Sequence, residues 1–216
     1  GSIFIQLPLA FGLALAFNSR FVRSVTHIYR VGFFFPVLTS AVVISLLFVL
    51  VLDTRYGMLN TGLQYFGVEP IPWLTSTRWV MPSIIILGVW TWSGFNSFYF
   101  LAGLQSISNE VLEAAMIDGA NAWQTLVRVV IPLMRPIIMF VVMQSIIGSF
   151  GLFTQVFLLT NGGPSDASLT VIMYMYTNGF QFFKLGYASA IAYVYVLIVL
   201  ALALINLYFF RGLRED

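Results

Sequence analysis

Apolar positions in this chain fall in long runs with few polar interruptions, and five of them approach the length needed to cross a bilayer. They extend from Ile3 to Phe17, Phe33 to Leu52, Val80 to Leu104, Pro136 to Leu159 and Leu185 to Phe210. In lipid every backbone N–H and C=O must be satisfied within its own segment, so such runs predict α-helical spans of roughly 20 residues. A shorter run, Leu169 to Phe183, is too short to span. Its Tyr174, Tyr176, Phe180, Phe182 and Phe183 suit the membrane interface, where a ring keeps one edge wet. The pattern predicts an all-α polytopic membrane protein folded as one transmembrane domain over residues 1–216.

Composition removes the soluble alternative. The 216 residues are 60% hydrophobic and 8% charged, against about 45–50% and about 25% in soluble domains. Mean hydropathy is +0.94. With no cysteine and one histidine, thiolate zinc sites, cysteine nucleophiles and histidine-rich metal centres are all excluded.

The net charge of +2 reports membrane orientation rather than nucleic-acid binding. Arg20, Arg23, Arg30, Arg128, Arg135, Arg211 and Arg214 fall in alternate segments, and opposite them are only Arg55, Arg78 and Lys184. The richer side is cytoplasmic by the positive-inside rule, so the chain is expected to start outside and end inside. An outside start with no charge to hold it predicts at least one further span ahead of Gly1.

No Asp, Glu or His falls inside a predicted span, and Lys184 follows no phosphate-cradling glycine loop. The chain therefore holds neither a proton relay nor an ATPase, and any active transport needs energy from a partner. Spans without fixed charge favour a neutral polar solute. Paired carboxylates and Ser-His arrangements are also missing at membrane depth, which counts against an intramembrane enzyme.

The loop from Gln105 to Arg135 is the clearest cytoplasmic element. A helix is predicted from Glu110 to Asp118, carrying Leu112, Ala115 and Met116 on one stripe, with Gly119 ending it. A second runs from Ala122 to Val130 with Trp123, Leu126 and Val127 on one face, broken by Pro132 and Pro136 before the next span. Such a knuckle is either a docking element or a hairpin without a partner, Glu113 then serving only the helix dipole.

Glu113-Ala114-Ala115, Gly119 and Val129-Val130-Ile131-Pro132 resemble the EAA loop of permease subunits in bacterial ATP-binding-cassette importers, with Val129 and Ile131 as volume-similar departures. Gly103-Leu104-Gln105-Ser106-Ile107, Asp118-Gly119-Ala120, Leu159 to Pro164 and Gly186-Tyr187-Ala188-Ser189-Ala190 are similar to the carbohydrate branch, the maltose-permease-like subunits. The resemblance implies a type I importer helix bundle in the bacterial inner membrane. It implies a coupling helix whose Glu113, Ala114, Ala115, Asp118, Gly119 and Ala120 meet an ATPase subunit. It also implies a second homologous permease, two ATP-binding subunits that use ATP and Mg, and an extracytoplasmic solute-binding protein, with no cofactor on this chain. The competing expectation is a stand-alone channel or secondary transporter.

Two stripes of small and hydroxylated residues are candidates for a solute path. Trp90, Ser93, Gly94 and Ser97 share one helical face in the third span, and Ser145, Gly148, Ser149 and Leu152 repeat that spacing in the fourth. Either stripe can serve helix packing or line the path. Trp92 and Phe150 offer ring faces to a sugar, Asn96 and Gln155 are further polar candidates, and Tyr193 and Tyr195 read as core or interface.

Overall fold

The computed structural model describes residues 1–18, 32–33 and 35–211. Arg20, Arg23, Arg30, Arg214 and His27 lie outside the described residues, as does the side chain of Arg211. Regular structure among the described residues is helical throughout: α1 Ser2–Asn18, α2 Ala41–Val51, α3 Met58–Gln64, α4 Val80–Ser106, α5 Asn109–Ile117, α6 Ala122–Leu133, α7 Arg135–Phe150, α8 Thr154–Leu159, α9 Val171–Tyr176 and α10 Leu185–Arg211.

Two helices are long and apolar enough to cross a membrane, Val80–Ser106 and Leu185–Tyr208, and a third counts if the bent pair α6 and α7 is taken as one span. The expected span from Phe33 to Leu52 is interrupted. Thr39 Oγ1 donates back to the Phe35 carbonyl at 3.0 Å, and Ser40 Oγ accepts from the Val42 N–H at 3.3 Å. Hydroxyls beside their own backbone compete with the helix ladder in this way, so the continuous helix is the 11 residues of α2. The expected span from Pro136 to Leu159 also divides. α7 stops at Gly151, whose N–H bonds the Ile147 and Gly148 carbonyls, and α8 starts again at Thr154.

Pro132 does not end the second loop helix. A wide π turn over Leu126–Val130 precedes it, with the Ile131 N–H reaching back to the Leu126 carbonyl, and the helix continues to Leu133. Opening the turn relieves the clash between a proline ring and the carbonyl four residues earlier. The break falls at Met134, where α6 and α7 meet at 70°.

α4 is the central strut. α1 lies along it and α7 packs against both. Towards the hairpin of α5 and α6, Ala10, Ala14, Phe17, Phe100, Leu101, Leu104, Val130, Met134 and Val141 form one apolar core. Gly103 lets α7 approach closely there, because a Cβ would press on the side-chain ends of Ile137 and Met134. At the opposite end Ile44, Phe48, Leu52, Trp73, Val80, Ile84, Leu87, Val156, Leu159 and Met173 form the other. α10 leaves most of its surface uncovered by the rest of the chain, as a lipid-facing helix does. Ahead of it Phe182 and Phe183 are exposed, with Lys184 Nζ 5.9 Å from the Phe182 ring centre.

The segment between α2 and α4 is organised by a fully buried amide. Asn60 Nδ2 donates to the carbonyls of Ile71 (2.9 Å), Thr54 (3.1 Å) and Asp53 (3.4 Å), while Oδ1 accepts from the Ile71 N–H at 3.1 Å and Trp73 Nε1 at 2.9 Å. Ser83 Oγ then lies 3.0 Å from the Trp73 carbonyl and ties this cap to α4. Asp53 Oδ1 accepts the N–H groups of Tyr56 and Arg55, both at 2.8 Å. Those two bonds, Tyr56 first, hold its carboxyl below the ordinary carboxylate range.

Two outcomes are expected. Asn60→Leu strands the Trp73 N–H and several backbone groups in a dry site, so thermal unfolding of the purified chain in detergent should show a loss of about 3 kcal/mol; an unchanged midpoint would refute the hub. Because the Asp53 carboxyl is depressed in the fold, its contribution is present above the ordinary carboxylate range and disappears as pH falls through the folded value. The midpoint gap between wild type and Asp53→Asn should therefore shrink between about pH 5 and about pH 3, and a gap independent of pH would count against the turn.

Candidate functional site

Between the two cores α1, α4 and α7 border a cavity of about 290 Å³, near the lower end of ligand-pocket sizes, about 300–1,000 Å³. Met81, Ile85, Gly88, Trp92 and Asn96 form its α4 wall, recurring at three- and four-residue intervals, so one helical face runs down it for about 22 Å. Ser145, Gly148 and Ser149 border it from α7, with Gln144 beside them and Leu152 just beyond the helix end, and Gln6 closes it from α1. Among the described residues no charged side chain lines it.

Its floor is a three-helix junction. Gln6 Nε2 donates to Ser145 Oγ at 3.3 Å and Asn96 Nδ2 donates to the same oxygen at 3.2 Å. Gln6 is 4% exposed and Asn96 2%, so both amides have left the lipid and most of the solvent. The junction rests on the hairpin-end core, whose α1, α4 and α7 members begin one turn further along at Ala10, Phe100 and Val141. Ser2 Oγ and Ser149 Oγ, 3.4 Å apart, link α1 and α7 higher up the wall.

The third-span stripe lies elsewhere. Ser93 Oγ bonds the Val89 carbonyl and Ser97 Oγ bonds the Gly94 carbonyl at 2.6 Å, so both hydroxyls are occupied by their own helix. A Cβ on Gly94 would collide with the Phe33 carbonyl. Trp90 sits against Phe48, ring centres 5.4 Å apart. In this structure these four residues contact their own or a neighbouring helix, and the adjacent face of α4 borders the cavity. Trp92 lines it, Phe150 pairs with Tyr195 at 6.4 Å instead, Gln155 is half-buried on α8, and Tyr193 is exposed.

The hairpin of α5 and α6 is the second candidate site. The Gly119 N–H bonds the Met116 carbonyl at 3.1 Å and the Ala120 N–H bonds the Ala115 carbonyl at 3.0 Å, the two bonds of a Schellman motif. Gly119 has φ of +80° and open space where a Cβ would stand, so its requirement is conformational rather than steric. Asn121 and Gln124 then form a reciprocal capping box, both bonds 2.9 Å. Two opposed caps within six residues make a stiff corner. Ala115 is buried and Ala120 half-buried, while Glu113, Ala114, Asp118 and Gly119 are exposed. Ile117 is 86% exposed and Trp123 71%, with Met116 also uncovered. Among the described residues no group of three or more His, Asp or Glu is placed to hold a metal ion.

Sequence reading passed over Gln6, although a lone amide within an apolar run was a signal for it. It also passed over the Asn121-x-x-Gln124 box, whose spacing is legible in the sequence.

Residues 6–215 match the family model described as binding-protein-dependent transport system inner membrane component. The chain is 33% identical over 208 residues to an arabinooligosaccharides transport system permease protein of Bacillus subtilis (strain 168), covering 95% of this chain and 66% of that protein. It is 35% identical over 209 residues to a lactose transport system permease protein of Rhizobium radiobacter, covering 94% and 70%. The chain thus spans about two thirds of the length of these relatives. Its fold resembles a chain in the crystal structure of a bacterial ABC transporter involved in the import of the acidic polysaccharide alginate, with TM-score 0.88 and 25% identity, over 98% of this chain and 74% of that one. A chain of the alginate transporter in complex with an alginate pentasaccharide-bound periplasmic protein matches with TM-score 0.85 and 25% identity over 95% and 72%.

Gly94→Leu should abolish recovery of folded chain, because the Phe33 carbonyl fills the space its side chain needs. Ser97→Ala should shift the unfolding midpoint by the equivalent of about 1 kcal/mol or less, its hydroxyl serving only its own helix. Equal stability of the two variants in a detergent melt would overturn this assignment.

Proposed function

The chain belongs to the family of binding-protein-dependent transport system inner membrane components, and from that premise we propose that it is one transmembrane half of an ATP-driven importer for a neutral saccharide. Its partners are a homologous second permease, two ATP-binding subunits that use ATP and Mg, and an extracytoplasmic solute-binding protein. The hairpin end faces the cytoplasm, as the surplus of arginine in that segment requires, and the C-terminus lies on the same side.

The hairpin carries this reading. Ile117 and Trp123 stand exposed at the facing ends of α5 and α6, on a corner stiffened by two caps. Exposed apolar side chains outside the lipid call for a protein surface to cover them. A stiff corner also transmits displacement better than a pliant one. Ala114 and Gly119 keep one side of it low enough for a cleft, and Glu113 supplies a carboxylate for a basic residue within that cleft. When ATP binding closes the paired ATPases the two coupling hairpins are drawn together, and the path changes the side it faces by rigid-body rocking. Glu113 transmits force and does no bond chemistry.

The solute reading draws on the cavity. Amides and hydroxyls from Gln6, Asn96, Gln144, Ser145 and Ser149, beside the Trp92 ring, suit a hydroxyl-rich cargo. The absence of charge along the described walls favours a neutral one, in contrast to the acidic polysaccharide of the alginate transporter.

Glu113→Lys tests the docking. Membranes carrying the wild-type importer should yield the ATPase subunits with this chain on detergent purification, identified by mass spectrometry, whereas the variant should lose at least about tenfold of that recovery while keeping its own yield. Full retention of the ATPase by Glu113→Lys, together with unchanged uptake, would refute the assignment of Glu113.

A further inference from the structure

The cavity floor and the hairpin belong to one continuous piece of chain, which gives Ser145 a task beyond lining the path. Ser145 Oγ is the common acceptor for Gln6 Nε2 and Asn96 Nδ2, and these two bonds tie α7 to α1 and α4 at that level. Both contacts, 3.3 and 3.2 Å, are at the long end of the hydrogen-bond range. The amide oxygens of Gln6 and Asn96 have no hydrogen-bond partner among the described residues, and both side chains line the cavity. Each amide therefore offers a saccharide hydroxyl a free acceptor beside a donor that is engaged with Ser145. From Ser145, α7 runs eleven residues, about 16 Å, down to Met134, the buried knee from which α6 departs towards the hairpin.

We propose that Ser145 is a positioning residue for coupling: its two bonds form a latch that holds α7 against α1 and α4 until a solute hydroxyl takes over the amides. The inference rests on the importer reading above. A saccharide hydroxyl donates to the amide oxygen and accepts from the amide N–H of the same group, a paired contact that Ser145 Oγ, which accepts from both amides and reaches neither amide oxygen, does not make here. Binding therefore exchanges two interhelical bonds for bonds to solute. α7 is then released at the floor while its far end remains anchored through Met134 in the apolar core. Solute occupancy thereby reaches the hairpin as freedom of α7, and the resting importer is kept from spending ATP without cargo. A ligand shifts such an equilibrium only through its difference in affinity for the two states, and here that difference lies in the availability of the two amides.

The test uses the assembled importer in proteoliposomes, with ATP hydrolysis measured in the absence of solute. Ser145→Ala removes the shared acceptor and should raise solute-independent hydrolysis about fivefold to tenfold, the scale of losing two interhelical bonds. Ser145→Thr keeps the hydroxyl and should stay near the wild-type rate. Wild-type hydrolysis in an assembled Ser145→Ala importer would overturn the latch. A second measurement needs no ATPase: the 216 residues contain no cysteine, so spin labels on Phe4→Cys and Ile147→Cys, both at exposed positions on α1 and α7, report their separation directly. The distance distribution should lengthen or broaden with Ser145→Ala and return with Ser145→Thr, and an unchanged distribution would also overturn the latch. Failure of wild type and variant alike to recover ATPase subunits, with the spin-label response intact, would sink the importer reading and leave the latch standing.

Discussion

Helices in lipid satisfy their own backbones, so hydrogen bonding of the main chain contributes nothing to how one helix registers against another. Register is left to shape and to a few polar side chains. In this protein the Gln6, Ser145 and Asn96 junction supplies such a contact for α1, α4 and α7. Each interhelical bond is modest, about 0.6 kcal/mol on average. Leaving one of these amides unpaired in an apolar site costs more, so the alternatives to the junction are limited chiefly by their own expense. The apolar core beneath it and the cavity above it are both positioned by where those three side chains meet.

The hairpin shows a different economy. Its corner is made by local chemistry alone: a glycine that needs positive φ, two Schellman bonds and a reciprocal capping box, all within a dozen residues. Nothing distant is required to fold it, so it holds its shape while its outer surface stays free for contact. The π turn and the knee at Met134 then redirect the chain by 70° into α7. Local stiffness at the corner and a sharp bend at the root together place a surface feature in mechanical continuity with the cavity floor.

The opposite end is closed by burial of a single amide. Asn60 satisfies five groups at once, and the turn at Asp53 depends on Gly57, where a Cβ would meet the Asp53 backbone. The loop between α2 and α4 is consequently an ordered cap packed on the apolar core through Trp73. A rigid cap and a stiff hairpin bracket the three-helix bundle from both ends.

Much of this was legible from residue order. Long apolar runs set the helices α1, α4 and α10, because length and hydropathy are properties of one segment; Gly119 marked the corner, because a residue without a Cβ takes positive φ at little steric cost; and the α7 stripe borders a cavity. Other features depended on neighbours. Spacing identified a face on α4 with Trp90, Ser93, Gly94 and Ser97, yet what a face meets depends on the helix beside it, and Asn96 on the adjacent face is the residue that reaches the floor. The hydroxyl breaks at Thr39 and Ser40, the turn opened ahead of Pro132 and the five partners of Asn60 likewise arise from groups brought together only by folding. Sequence by itself determined which segments leave water and where the chain must turn. Tertiary structure alone decided which polar side chains face one another, since that is a relation between segments distant in the chain.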